Sequence, residues 1–313
     1  MSTSVRVGTE STATLGGRRE TLISRIARQT GRMGLLFPAV ALMAVFLVGP
    51  IAYSVYGSLT NAALSGYKAA NPEFVGLENY AELLTSNAFW KAVLLTVIFV
   101  FASAVVGQNI LGLALAMLMR KAPKILSTLV GGVVVIAWVM PEIVAAFALY
   151  AFFSTDGTLN VLLSYIGLGG TTWLLTFPMF SVIMANIWRG TAFSMMVYSA
   201  ALAEVPPEIQ EAAKVDGARG SQRFFFVTLP MIKGSISTNL LLTTLQTLGV
   251  FTLLWVMTGG GPGTQSTTLP VMAYQEAFKN SLIGYGTAIA TVTIVLGALF
   301  ALVYIRALKP EVD

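Results

Sequence analysis

Neither cysteine nor histidine occurs in these 313 residues, and only 11% of them are charged, against about a quarter in a soluble domain. Without cysteine there are no disulfides and no thiol nucleophile. Without both residues there are no Cys/His zinc sites, and the commonest general base is missing. The scarcity of charge, beside 56% hydrophobic residues, excludes a water-soluble globule of this size. No nucleotide-binding motif is present. The run Gly259-Gly260-Gly261-Pro262-Gly263 lacks the Gly-Lys-Ser/Thr ending of a phosphate-cradling loop and reads as a chain-reversing turn. If ATP drives this protein, another subunit must hydrolyse it.

What is abundant is apolar sequence in runs long enough to cross a bilayer at about 20 residues each. Six spans are expected, near 34–56, 91–118, 127–152, 175–202, 235–257 and 283–306, so the fold class is an all-α polytopic membrane protein. Lysine and arginine set the orientation. Fifteen lie in the N-terminal tail, in 119–126, in 203–234 and after the last span. Three (Lys68, Lys91, Lys279) lie on the other side, and Arg189 is inside a span, which accounts for all 19. Both termini and the 203–234 connection are therefore expected in the cytoplasm. The charge of +5 is topological and does not point to nucleic acid.

Residues 1–33 form a polar, arginine-bearing tail. Leu22, Ile23 and Ile26 alternate with its arginines at roughly helical spacing, which admits a short interfacial helix. The favoured expectation is a disordered tail that anchors orientation. A cleaved signal peptide is not expected, since no small-residue cleavage site follows the apolar core. GLENYAELLTSNAFWKA (76–92) reads as an amphipathic helix at the outer surface, with Tyr80, Phe89 and Trp90 as anchors, and 155–170 as a weaker case.

Residues 204–233 are too ordered for a linker. Val205-Pro206-Pro207 stops one helix and can start another. Residues 207–215 read as a short helix that Asp216-Gly217 breaks. Ser221 is expected to cap a second helix, SQRFFFVTL, closed by Pro230. The stretch reads as a docking hairpin.

Within it, Glu211-Ala212-Ala213, Asp216-Gly217-Ala218, Phe224 and Leu229-Pro230 follow one another at gapless spacing. This resembles the EAA signature of binding-protein-dependent ABC importer permeases. FVGLENYAELL (74–84), GTLNVLL (157–163), NIWRGTAF (186–193) and MTGGGPGTQSTTLPVMAYQEAF (257–278) resemble the carbohydrate branch of that family, the permeases of maltose, glycerol-phosphate and oligosaccharide uptake.

The resemblance implies a type I ABC importer permease fold in the ordinary six-span form, without the extra spans of the enteric maltose subunit. It implies a cytoplasmic tail over 1–33, a first span and outer loop over 34–90, the permease domain over 91–306 with its EAA loop at 204–233, and a C-terminal tail over 307–313. It further implies a multi-pass protein of the bacterial inner membrane, with no catalytic residues and no cofactor or metal of its own. Its partners would be a second permease chain, a cytoplasmic ATPase dimer that carries ATP and Mg, and an extracytoplasmic binding protein. Glu211 would meet an arginine of the ATPase. Ala212 and Ala213 would keep the contact face thin, Gly217 would permit the reversal, and Phe224, Phe225 and Phe226 would hold the second helix against the membrane helices. The hairpin would then act as a lever for alternating access.

Charges inside spans are costly and point to function. Glu142 and Arg189 lie near the middle of consecutive antiparallel spans. They either line a solute path or pair structurally, and both readings stay open. Gln246, Thr247, Phe251 and Trp255 lie roughly a turn apart and would share one face, supplying hydrogen bonds and aromatic surface to a sugar or packing only. Gln108, Asn109 and Asn186 are expected to bond between helices. The competing class is a stand-alone secondary transporter or channel, but no internal repeat and only one mid-span acid support it.

Overall fold

The computed structural model describes residues 37–307; the expectations for the tails fall outside these residues. Helices dominate, and the described residues contain no strand beyond the single bridge between Thr60 and Phe74. The chain divides into two units, residues 1–53 and 54–313.

The described part of the first unit is helical from Phe37 and belongs to α1 (Phe37–Gly57). A π-helical turn, Ala44–Val48, lies within it, two residues before Pro50. Proline's ring collides with the carbonyl four residues back, and a widened turn relieves that collision.

The second unit holds the rest. A helix α2 (Glu78–Thr85) precedes α3 (Asn87–Lys121). The expected single helix over 76–92 is therefore divided at Ser86, whose side chain caps α3 by accepting from Phe89 N–H at 3.3 Å. Tyr80 and Phe89 pack in the core instead of anchoring at a surface, while Trp90 stays exposed. Next come α4 (Lys124–Val139), α5 (Glu142–Phe153), α6 (Thr158–Tyr165) and α7 (Pro178–Ala203). They lead to the hairpin α8 (Pro207–Val215) and α9 (Gly220–Met231), then α10 (Lys233–Leu248) and α11 (Thr252–Thr258). Helix α12 (Leu269–Tyr274, prolonged by the π turn Gln275–Lys279) and α13 (Ile283–Ala307) complete the unit.

Among the described residues, four stretches are long and apolar enough to cross a membrane: Phe37–Gly57, Asn87–Lys121, Glu142–Tyr165 and Ile283–Arg306. The pair α9–α10, bent by 70° at the buried Ile232, makes a fifth if taken as one. Two expected spans are broken. Residues 127–152 divide at Met140-Pro141, both extended, because the residue before proline avoids the helical region. Residues 235–257 divide between Gly249 and Phe251. Helix α7 is long but carries Ser181, Asn186, Arg189, Thr191 and Ser194, which lower its apolarity. Of these, Ser181, Asn186, Thr191 and Ser194 are buried, and Asn186 and Ser194 bond to neighbouring helices.

Helix α3 is the spine. Three buried clusters touch it: Phe99 with Val182, Ile187 and Leu254; Phe89 with Leu83, Leu269 and Ile289; Ala116 with Met195, Tyr198 and Leu202. Gly107, Gly112 and Gly190 let α3 and α7 cross closely. A Cβ on Gly107 would sit 2.3 Å from Ile187 Cδ1, and one on Gly112 would sit 2.4 Å from Ser194 Cβ. A polar seam runs through the same crossing, so the expected interhelical bonds are present. Gln108 Nε2 donates to Asn186 O at 3.0 Å, Asn186 Nδ2 to Ser103 Oγ at 2.8 Å, and Asn239 Nδ2 to Asn109 Oδ1 at 2.8 Å. Tyr198 also donates its hydroxyl to Asn109.

Two asparagines hold the loops. Asn79 Nδ2 donates to Ser58 O and Thr60 O at 2.8 and 2.9 Å. Asn160 donates to Thr155 O and Thr171 O, both at 2.8 Å, and its Oδ1 accepts from Thr171 N–H and Trp173 Nε1–H. Both lie in the family-like segments 74–84 and 157–163, and both satisfy loop backbone that nothing else reaches.

Candidate functional site

The hairpin is built by local rules. Pro207 starts α8, since a first-turn residue needs no N–H partner. At its end Gly217 has φ +81°, donates to Lys214 O at 3.1 Å, and lets Ala218 N–H reach back to Ala213 O at 3.0 Å. That pair of bonds is a Schellman cap with glycine in the left-handed position. Helix α9 begins at Gly220, capped at Arg219 and not at Ser221: Gln222 Oε1 accepts from Arg219 N–H at 2.8 Å. Nor does Pro230 close it. The helix runs through Pro230 to Met231, and the π turn Phe224–Thr228 opens just before it, as in α1. Gln210 Nε2 donates to Thr228 Oγ1 at 2.9 Å and ties α8 to α9.

Glu211, Ala212, Asp216, Gly217 and Pro230 are exposed, and Ala213, Ala218, Phe224 and Leu229 are half-buried. The three phenylalanines do not all face inward as expected. Phe224 is half-buried with Phe225 edge-on at 4.9 Å, but Phe225 is 59% and Phe226 78% exposed. Consecutive residues on one helix point in different directions, so a run of three cannot bury all its rings. Val215, 87% exposed, stands on the same hairpin. The hairpin thus presents apolar and acidic groups together, a composition suited to a partner surface.

The second constellation forms where the two broken spans meet. Glu142 is the first residue of α5, and its Oε1 accepts from Leu253 N–H, in the first turn of α11, at 3.2 Å. The carboxylate therefore sits in the first turn of one half-helix and caps another, where unpaired N–H groups and both dipoles favour negative charge. It does not pair with Arg189, whose Nε is buried without a partner. Glu142→Gln keeps an acceptor and is expected to retain stability. Glu142→Ala leaves the Leu253 N–H unmet and is expected to cost about 1–3 kcal/mol. Thermal unfolding of the two purified variants separates these outcomes, and equal destabilisation would refute the capping role.

The break also separates the four residues expected on one face. Gln246 is exposed on α10 and Thr247 is buried, accepting from Asn186 Nδ2 at 3.3 Å. Phe251 and Trp255 remain together, stacked at 5.8 Å between centroids. Tyr274 of α12 joins them at 4.9 and 4.7 Å, and Lys279 Nζ lies 4.4 Å above the Trp255 ring. The sequence does not assign Tyr274 and Lys279 to this aromatic group, because no local pattern links α11 to α12. The turn between them can be read there. Gly259, Gly260 and Gly263 all have positive φ, Gln275 Nε2 donates to Gly259 O at 3.0 Å, and a Cβ on Gly260 would lie 2.6 Å from Thr267 Oγ1. No group of three or more metal-ligating side chains occurs among the described residues.

The family described as binding-protein-dependent transport system inner membrane component matches residues 108–313. The trehalose/maltose transport system permease protein MalF of Thermococcus litoralis is 31% identical over 290 residues, covering 91% of this chain and 96% of that protein. The sulfoquinovosyl glycerol transport system permease protein SmoG of Agrobacterium fabrum is 33% identical over 285 residues, covering 88% and 90%. A chain of a bacterial alginate ABC transporter, crystallised in complex with an alginate pentasaccharide-bound periplasmic protein, superposes with a TM-score of 0.77 at 23% identity, covering 93% of this chain and 98% of that one.

Proposed function

The chain belongs to the family of binding-protein-dependent transport system inner membrane components and is an ABC importer permease; on that premise we propose that it couples ATP hydrolysis by a separate cytoplasmic subunit to import of a sugar or sugar-like solute. ATP and Mg belong to that ATPase. A second permease chain and an extracytoplasmic binding protein complete the unit. The chain crosses the membrane six times with both termini inside, as the asymmetry of lysine and arginine favours. Residues 34–90 form the first span and its outer loop, and 91–306 the transport domain.

The observation that carries the reading is the capped hairpin α8–α9. Its backbone bonds are closed within itself, while Glu211 and Val215 are left exposed. A self-contained helical turn of this kind transmits force as one piece. Glu211, Ala212, Ala213, Asp216, Gly217, Ala218, Phe224, Leu229 and Pro230 carry the coupling.

The solute path is assigned to the broken spans, where Phe251, Trp255 and Tyr274 offer ring faces, with Gln246, Thr247 and Arg189 as polar groups and Glu142 as the brace between half-helices. Aromatic faces beside hydrogen-bonding groups suit a sugar, and the relatives MalF and SmoG are named for trehalose, maltose and sulfoquinovosyl glycerol transport. Trp255→Ala is expected to lower uptake about tenfold, the worth of one stacking face, with the amount of assembled protein unchanged. Concentration-dependent uptake of labelled sugar checks this, and an unaltered curve would remove Trp255 from the path.

The function itself is tested in proteoliposomes with the ATPase, ATP and the binding protein present, and with each omitted in turn. Transport is expected only in the complete system. Uptake that persists without the ATPase would establish a stand-alone transporter instead.

A further inference from the structure

A cavity of about 360 Å³ lies between the end of α3, the end of α7 and the hairpin. Its walls include Met117, Arg120 and Lys121 from α3, Leu202 from α7, Gln210 from α8 and Arg223 from α9. Among the described residues, no carboxylate lines it. Three cations on one small concavity repel one another unless an anion joins them.

Two details say what the anion is. Arg223 lines the cavity, and its Nε is buried with no hydrogen-bond partner, so this guanidinium is short of acceptors within the protein. Arg120, also in the lining, uses one donor, Nη1, on Leu202 O at 3.0 Å, which fixes its guanidinium and leaves other donors unspent. Two guanidinium forks and an ammonium suit a tetrahedral oxyanion, whose acceptor atoms point in several directions at once.

We propose that this cavity binds a phosphate-bearing anion between the coupling hairpin and the membrane helices. The choice of leaflet, and only that, rests on the cytoplasmic placement of the hairpin. On that side anionic phospholipid is at hand, and basic pockets at the ends of spans take its headgroup. A bound phosphate would join α3 to α9 and stiffen the hairpin against the bundle.

The test uses the full complex as purified from its membrane, placed in nanodiscs of phosphatidylcholine with or without phosphatidylglycerol. Native mass spectrometry is expected to show anionic lipid retained by the wild type. Arg223→Gln combined with Lys121→Gln is expected to lower that retention about thirtyfold, two charges' worth, and Arg223→Lys to lower it less. Lys121→Gln alone, at an exposed residue, gives a variant whose folding is not at stake. If lipid is not retained but inorganic phosphate, followed by calorimetry in phosphatidylcholine discs, binds the wild type and not the double variant, the ligand is a soluble phosphate and the site stands. A wild type that holds neither, or a double variant that holds either one equally well, overturns the proposal. Binding is read directly here. A failure of ATP-dependent transport would therefore count against the assigned function and leave this result standing.

Discussion

Gly217→Pro is expected to reduce uptake to background while the protein stays inserted at its normal amount. Proline fixes φ near −65°, whereas Gly217 has φ +81°, and its N–H donates to Lys214 O. The substitution therefore removes one cap bond and forbids the conformation that makes the other, at a cost of about 3 kcal/mol or more. The damage stays local, because nothing lies within 4 Å of the position a Cβ would take. For the same reason Gly217→Ala is expected to be milder, losing only the roughly 1–2 kcal/mol of a non-glycine residue in the left-handed region. Glu211→Lys tests the same lever by charge instead of shape. Glu211 is exposed, so its reversal leaves the hairpin folded and changes only what a partner meets. Uptake, membrane abundance and co-purification of the ATPase are the three readouts. Normal transport by either Gly217→Pro or Glu211→Lys would end the lever account.

The second large effect is on assembly. Gly112→Leu places a side chain where even a Cβ would lie 2.4 Å from Ser194 Cβ and 2.9 Å from Met195 N. Backbone cannot rotate aside, so α3 and α7 must separate. Separation also pulls Asn109 from Tyr198 and Gln108 from Asn186 O. Overpacking alone costs about 1–3 kcal/mol, and the orphaned buried groups add to it. Detergent-stable, monodisperse protein is expected to fall at least about fivefold. Gly132 of α4 has nothing within 4 Å, so Gly132→Ala is the matched control and should be nearly neutral. If Gly112→Leu purifies like the wild type, the close crossing is not what holds the bundle.

Much of the hairpin was legible in the sequence, because its grammar is local. Pro207 starts α8, Val215 ends it and Gly217 turns the chain, as residue chemistry within a few positions dictates. Ser221 and Pro230 misled for the same reason. A serine is a good cap and a proline a good stop only where the backbone has no alternative. Here Gln222 supplied the cap, and a π turn absorbed the proline. The breaks in the third and fifth apolar runs were hard to see. Pro141 signalled a bend, but apolar composition is continuous through both breaks. The partner that makes the second break tolerable, Glu142, lies 111 residues from Leu253. The aromatic group was half legible. Phe251 and Trp255 are near in sequence, while Tyr274 arrives through the glycine turn.

Helix α3 spans 35 residues, about 52 Å at 1.5 Å per residue, well beyond a hydrocarbon layer of about 30 Å. Near its start Lys91 Nζ holds Thr264 Oγ1 in the glycine-rich turn at 2.9 Å. Near its end Arg120 grips Leu202 O, just before the chain enters the hairpin. One rod thus has a hand on each end of the bundle, and its middle is not plain α-helix but the π segment Phe101–Gln108. A push delivered at Arg120 need not be relayed from side chain to side chain to reach the far turn. On the proposed coupling it would travel along this one shaft, with the wide-turned section Phe101–Gln108 as the place where the shaft departs from plain α-helix.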